Sequence, residues 1–143
     1  MKLSLATAED LAEVARLEQC FVFPLSENEL HKLLENQLFR IVIYKEEETI
    51  LGHCVLYRIC DEAEITSFAV RESERKKGIG TAFLKELLTY LKEDEAKIAY
   101  LEVRESNVAA RKVYTKCGFS EIGLRKRFYQ KPVEDAIVMG IEL

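Results

Sequence analysis

The chain has 143 residues, 48% of them apolar, with 21 Lys or Arg against 25 Asp or Glu and a formal charge of -4. That length suits one domain over residues 1–143 with one sizeable core, and the acidic balance gives no pull toward nucleic acid or an anionic membrane surface. No apolar run approaches the roughly 20 residues of a membrane span, and Met1 to Thr7 lacks the apolar stretch of a signal peptide, so a cytoplasmic protein is expected.

Lys2 to Ala6 is a short alternating segment that reads as a strand. Thr7 followed by Asp10 resembles a capping box opening a helix over Leu11, Val14, Ala15 and Leu17. Pro24 and Ser26 restart the chain, and Leu30, Leu33 and Leu34 recur at helical spacing to about Asn36. Phe39 to Tyr44 and Ile50 to Ile59 are rich in β-branched and aromatic residues and flank the charged Lys45 to Glu48, which predicts a hairpin. Glu64 to Val70 is the next strand. From Gly78 to Glu93, Ile79, Phe83, Leu84, Leu87, Leu88 and Leu91 fall on one helical face. Ile98 to Val103 predicts a strand and Ser106 an N-cap, with Ala110, Val113, Tyr114 and Cys117 on a stripe closed by Gly118. Two strands near Phe119 to Phe128 and Ala136 to Ile141 complete a mixed α/β arrangement, helices packed on one sheet.

Cys20, Cys54, Cys60 and Cys117 form no CxxC pair, and His31 and His53 fall at no zinc-ligand spacing. The cysteines read as reduced thiols in or near the core, and no metal is expected. Neither histidine is a convincing catalytic group. Chemistry then rests on carboxylates, tyrosines, backbone amides or a cofactor.

Arg75, Lys76 and Lys77 crowd the start of the helix from Gly78, where the helix dipole already concentrates positive charge. An anion would offset them. Gly78 and Gly80 clear side chains from amides at a helix N-terminus, a ready phosphate site. A solvated basic turn is the bland alternative. A nucleotide P-loop would need Gly-Lys-Ser/Thr, whereas Thr81 follows Gly80, and a dinucleotide fold would need a third glycine where Phe83 stands.

At this loop the chain resembles the GNAT family of N-acetyltransferases, whose cofactor loop reads Arg/Gln-x-x-Gly-x-Gly/Ala after a strand; here it is Arg75-Lys76-Lys77-Gly78-Ile79-Gly80. The segments Leu101 to Asn107, Ala109-Ala110, Val113-Tyr114, Gly118-Phe119 and Glu134 to Met139 look like the ribosomal-protein-alanine N-acetyltransferases of the RimI type. The resemblance spans nearly the whole chain. It implies the GNAT fold, a mixed, largely antiparallel sheet flanked by about four helices, and acetyl-CoA as cosubstrate without a metal. Phe68, Ala69 and Val70 would pair with the pantetheine arm, the Val70 amide polarising the thioester carbonyl. Arg75 to Thr81 (Lys76, Lys77, Gly78, Ile79, Gly80 between them) would hold the pyrophosphate, and Asn107 the pantetheine. Glu102 matches the general base, acting directly or through water, and Tyr114 the acid that protonates CoA.

Leu25, in Phe23-Pro24-Leu25-Ser26 where the family often has Phe-Pro-Trp-Ser, and Tyr129, between the last strands, would wall the acceptor groove. The leading acceptor is the α-amine of a protein N-terminus, as in ribosomal protein S18; a polyamine, aminoglycoside or amino acid is the alternative. A non-catalytic acyl-CoA-binding module is a third reading. Either a monomer or a homodimer is compatible with the sequence.

Overall fold

A computed structural model describes residues 1–143. In chain order the elements are β1 (Lys2–Leu5), α1 (Leu11–Glu18), α2 (Glu27–Leu34), β2 (Phe39–Glu46), β3 (Thr49–Ile59), β4 (Glu62–Val70), α3 (Ile79–Glu93), β5 (Ile98–Arg104), α4 (Val108–Lys116), β6 (Ser120–Tyr129) and β7 (Glu134–Glu142). All seven strands join one sheet in the order β1-β2-β3-β4-β5-β7-β6. Every pairing is antiparallel except β4 with β5. No helix is long and apolar enough to cross a membrane.

Helices cover both faces of the sheet, which is why β2 reads as an unbroken apolar run. Ile41 and Ile43 of β2 pack with Leu11 and Val14 of α1 and Leu30 of α2, whereas Val42 and Tyr44 turn to the larger cluster under α3. In α3 the whole stripe from Ile79 to Leu91 is buried, and Phe83 stacks on Tyr44 and Phe68, both at 4.9 Å between ring centroids. The Asp10 carboxylate accepts from the Thr7 amide at 2.8 Å, the capping box expected ahead of α1.

Several expectations shift. The hairpin turn is only Glu47 and Glu48, since Lys45 and Glu46 still pair in β2. The N-cap of α4 is Asn107, whose Oδ1 accepts from the Ala110 amide at 3.2 Å, and the Ser106 amide goes instead to Glu134 Oε2 at 2.5 Å. Tyr129 is the last residue of β6, paired with Glu134, rather than a loop residue. All four cysteines are free, but Cys20 and Cys60 are exposed and only Cys54 is fully buried.

The feature that positions a site is a parting of strands. β4 and β5 pair from Glu62 opposite Ile98 to Ile65 opposite Leu101 and no further. Thr66 is the extra residue at that point, since Leu56 of β3 faces Ile65 while Val55 faces Ser67, and its hydroxyl donates to the Val55 carbonyl at 3.0 Å. Such a bulge bends and twists its strand. Beyond it β4 keeps β3 as far as Val70, and β5 keeps β7 as far as Arg104. A wedge therefore opens between Phe68–Val70 on one lip and Glu102–Arg104 on the other.

Gly52 backs the first lip. A Cβ there would lie 2.7 Å from the Ala69 carbonyl oxygen and within 3.3 Å of the Phe83 ring. Backbone cannot yield as a flexible side chain does, so Gly52→Ala should lower stability by about 1–3 kcal/mol in chemical denaturation.

Candidate active site

Strand alternation decides what the β4 lip offers. The Arg71 amide donates across to the Leu51 carbonyl of β3 at 2.6 Å, so the N–H and C=O of Val70 point to the opposite edge, into the wedge. Consistently, the Val70 carbonyl receives Arg75 Nε at 3.2 Å from that side. Phe68 shares the orientation of Val70. Ala69 faces back toward His53 of β3. Of the three lip residues, two therefore present backbone groups to the wedge, as an extended ligand would require.

At the end of this lip a one-turn 3-10 helix, Glu72–Glu74, leads to α3. Lys76 has φ 64° and Gly78, the N-cap, φ 79°. Two left-handed residues so close turn successive amides toward one concavity, and a lysine held there is strained as functional sites often are. None of the backbone N–H groups from Lys76 to Thr81 finds an acceptor within the chain, and α3 has no side-chain cap and no acidic residue in its first turn. These donors match phosphate oxygens. Gly80 lies against Val70, to whose Cγ2 an added Cβ would be 3.5 Å, so loop and lip adjoin.

The basic side chains of the loop are less uniform than the sequence suggests. Arg75 folds back onto Val70 with its guanidinium beside Cys20, and Lys77 pairs with Glu74 at 3.1 Å. Lys77 is the one of the three with a carboxylate partner; Arg75 is held by a carbonyl and Lys76 by neither. Backbone amides, more than these cations, line the concavity.

Glu102 and Tyr114 reach the wedge from opposite faces. On β5, Ala99, Leu101 and Val103 enter the cluster under α3 and α4, so Tyr100, Glu102 and Arg104 face the other way. Tyr114 of α4 lies within that cluster, edge-on to Phe68 at 6.2 Å and 5.9 Å from the Phe119 ring. Burial raises its hydroxyl far above the ordinary range, with smaller contributions from Cys54 and Tyr129. The Glu102 side chain is 13% exposed and pairs with Arg125 of β6 at 3.3 Å. Burial lifts its carboxyl above the usual carboxylate range; Arg125 opposes that and Glu64 adds to it. Glu64 accepts from the Tyr57 hydroxyl, a bond that with burial pushes Tyr57 up to about 12.

Tyr129 completes the cluster. Burial first, then the Glu102 charge, pushes its hydroxyl up to about 12 against the opposing Arg104, and Tyr114 feels it as well. Asn107, with Oδ1 engaged by Ala110, keeps its amide NH₂ free to donate at the mouth of the β5 lip. Leu25 does not line the wedge so openly: it is half-buried against the α1–α2 core, and its amide donates to Glu18 Oε1 at 3.0 Å. Glu18 Oε2 in turn meets His53 Nε2 at 2.5 Å, both side chains at most 2% exposed. That buried pair fixes the connection between α1 and α2. Its most exposed apolar side chain is Phe23, whose ring lies 5.8 Å from Lys131 Nζ beyond β6.

The sequence reading thus missed Phe23, Arg125, Glu64 and the Glu18–His53 pair. Phe23 had a signal in its place beside Pro24; the others depend on elements 35 or more residues apart in the case of Glu18 and His53 and carry no local pattern. No group of three or more His, Cys, Asp or Glu side chains is arranged to hold a metal.

Residues 8–119 match the family model described as the acetyltransferase (GNAT) family. The chain is 38% identical over 101 residues to the [ribosomal protein bS18]-alanine N-acetyltransferase of Haemophilus influenzae, covering 68% of each. It is 30% identical over 139 residues to the Escherichia coli K12 protein of the same name, covering 94% of this chain and 92% of that one. The crystal structure of the ribosomal-protein-S18-alanine N-acetyltransferase from Escherichia coli matches with a TM-score of 0.88 at 27% identity, over 99% of this chain and 92% of that one. The split sheet, the open amide cradle and these likenesses agree: the chain belongs to the GNAT family and is an acetyltransferase.

Proposed function

We propose that the chain is a single N-acetyltransferase domain that moves the acetyl group of acetyl-CoA to the α-amine of a protein N-terminus. The observation that carries the donor half is the parting of β4 from β5, which leaves the Val70 N–H aimed into a wedge beside six unpaired amides. Acetyl-CoA, the family's cosubstrate, supplies the acetyl group as an activated thioester. In this reading Phe68 and Val70 hold the pantetheine as an added strand, the amides of Lys76 to Thr81 take the pyrophosphate, and Asn107 donates to the pantetheine from the other lip.

Glu102 takes a proton from the acceptor ammonium, directly or through a water, which frees the nitrogen lone pair. The Val70 N–H stabilises the oxyanion that develops as the C–N bond forms. As the C–S bond breaks, the nitrogen of the tetrahedral intermediate releases its second proton to solvent and Tyr114 donates a hydrogen bond to the departing sulfur. A thiol titrates near 8.5, well below this buried hydroxyl, so Tyr114 acts first as a hydrogen-bond donor to the thiolate, and complete transfer is uphill. Base and acid occupy opposite faces, so neither neutralises the other.

The α-amine acceptor is supported by the names of the relatives and by the approach of the β6–β7 turn to the α1–α2 connection, where Lys131 Nζ lies 5.8 Å from the Phe23 ring. One observation favours a small polyamine instead: Glu64 and Glu102 share a face. Following CoA release with an Ala-starting peptide, its pre-acetylated form and a panel of small amines separates the two. Turnover of the free peptide alone is expected, and turnover of small amines alone would sink the α-amine reading.

Arg125 gives a pH test. Its charge holds Glu102 below the value that burial alone would set, so Arg125→Gln should move the acidic limb of kcat/KM upward in pH. Activity is lost as pH falls through that limb, because the base must be ionised. A limb that stays in place in this variant would dissociate Arg125 from the base.

A further inference from the structure

The β6–β7 connection, which carries the acceptor wall, is a short exposed turn with Val133 59% exposed. It is tied to the rest of the sheet by one side chain. Arg104, at the end of β5, donates from Nη2 to the Gln130 carbonyl at 2.7 Å and from Nη1 to the Pro132 carbonyl at 3.0 Å and to Glu134 Oε1 at 3.2 Å. Its guanidinium also lies over the Tyr129 ring, 4.5 Å from the centroid. Glu134 passes the tie onward, since its second oxygen accepts from the Ser106 amide at 2.5 Å, one residue before the α4 N-cap.

Only arginine can do this. A planar guanidinium offers five donors in a rigid fork together with a flat face for an aromatic ring, whereas a lysine is a single point charge with no face to stack. Arg104 also lies two residues from Glu102 on the same face of β5, about 6.6 Å along the strand. The register of the wall is thereby set from the strand that carries the base.

We propose that Arg104 is a positioning residue for the acceptor, holding Tyr129 and the Gln130–Glu134 turn at a fixed distance from Glu102. It touches neither the acetyl group nor the nitrogen and acts through the wall. The proposal rests on the reading of Tyr129 and this turn as the acceptor wall. A placement error of an ångström can cost up to about 10²-fold, so a loosened wall should be read mainly in acceptor binding.

The test is steady-state kinetics with each substrate varied in turn, using the Ala-starting peptide or whichever amine the parent turns over. In Arg104→Gln the KM for the acceptor should rise roughly tenfold while the KM for acetyl-CoA stays within about twofold. Arg104→Lys, which keeps a cation and a single donor nitrogen in place of the fork, should fall between, and it serves as the reporter if the Gln variant does not fold. Hydrogen exchange at the Ser106 amide, which Glu134 Oε2 accepts, should quicken in both variants. An unchanged acceptor KM, or equal losses for both substrates, would overturn the proposal, since a merely structural role predicts the latter. Tyr129→Ala keeps the two readings apart: if it leaves acceptor KM unchanged while Arg104→Gln raises it, Arg104 acts through the turn carbonyls and the role of the Tyr129 ring is lost.

Discussion

Glu102→Gln should reduce kcat/KM by about 10²-fold or more, near 2.7 kcal/mol in the barrier, with acetyl-CoA binding nearly intact. The substitution preserves size and one acceptor oxygen, so the pocket beside Arg125 keeps its shape and what is removed is the ability to take a proton. The pH profile gives the sign. In the parent, activity should fall as pH drops through a limb lying above the ordinary carboxylate range, because burial raises Glu102 and Arg125 only partly offsets it. In the variant that limb should vanish, and the residual rate should rise with pH as the acceptor α-amine, near 8 when free, deprotonates in solution. A variant with the parent's rate and limb would remove Glu102 from the role. Tyr114→Phe is the companion experiment. Its hydroxyl makes no hydrogen bond within the chain, so the variant should keep its stability and its packing on Phe68 and Phe119 while turnover slows by roughly 10²-fold.

Gly80→Asp should abolish stabilisation by acetyl-CoA without weakening the free protein. A Cβ at Gly80 meets only Val70 Cγ2 at an ordinary 3.5 Å, so the backbone accepts a side chain. A carboxylate in the first turn of α3 is favourable to the helix dipole, by about 0.3–1 kcal/mol, and that helix has no acidic residue there of its own. The free variant should therefore melt at or slightly above the parent's temperature. The same carboxylate would occupy and repel at the amides of Lys76 to Thr81. At ligand concentrations of 100 times Kd the parent gains about 2.7 kcal/mol, which a hundredfold weaker site would almost entirely lose. Gly80→Ala, with bulk but no charge, separates the two causes. If acetyl-CoA protects the Asp variant as well as it protects the parent, the pyrophosphate is not held there.

Much of the architecture was legible because its signals are local. The α3 stripe from Ile79 to Leu91, the Thr7–Asp10 capping box and the alternation in β4 and β5 have local signals, and each appeared at its expected place within a residue or two. The N-cap of α4 was misassigned because Ser106 and Asn107 are both good caps, and the choice was made by Glu134, which takes the Ser106 amide from 28 residues away. Cys20 and Cys60 were misplaced for a related reason: an apolar thiol is usually buried, but both fall where the chain leaves an element and no second layer covers it.

What the sequence determined by itself is the donor side. A strand, a loop with two glycines and a helix start are contiguous in the chain, so their order alone brings free amides next to Val70. The proposed acceptor side was decided by tertiary structure. Its groups come from β3, β4, β5, β6 and the α1–α2 connection, and a long-range ion pair or ring contact leaves no period to read. So Arg125 came onto Glu102, Arg104 became the tie for the β6–β7 turn, and Phe23 is more exposed than Leu25, whose amide is held by a Glu18–His53 pair with partners 35 residues apart.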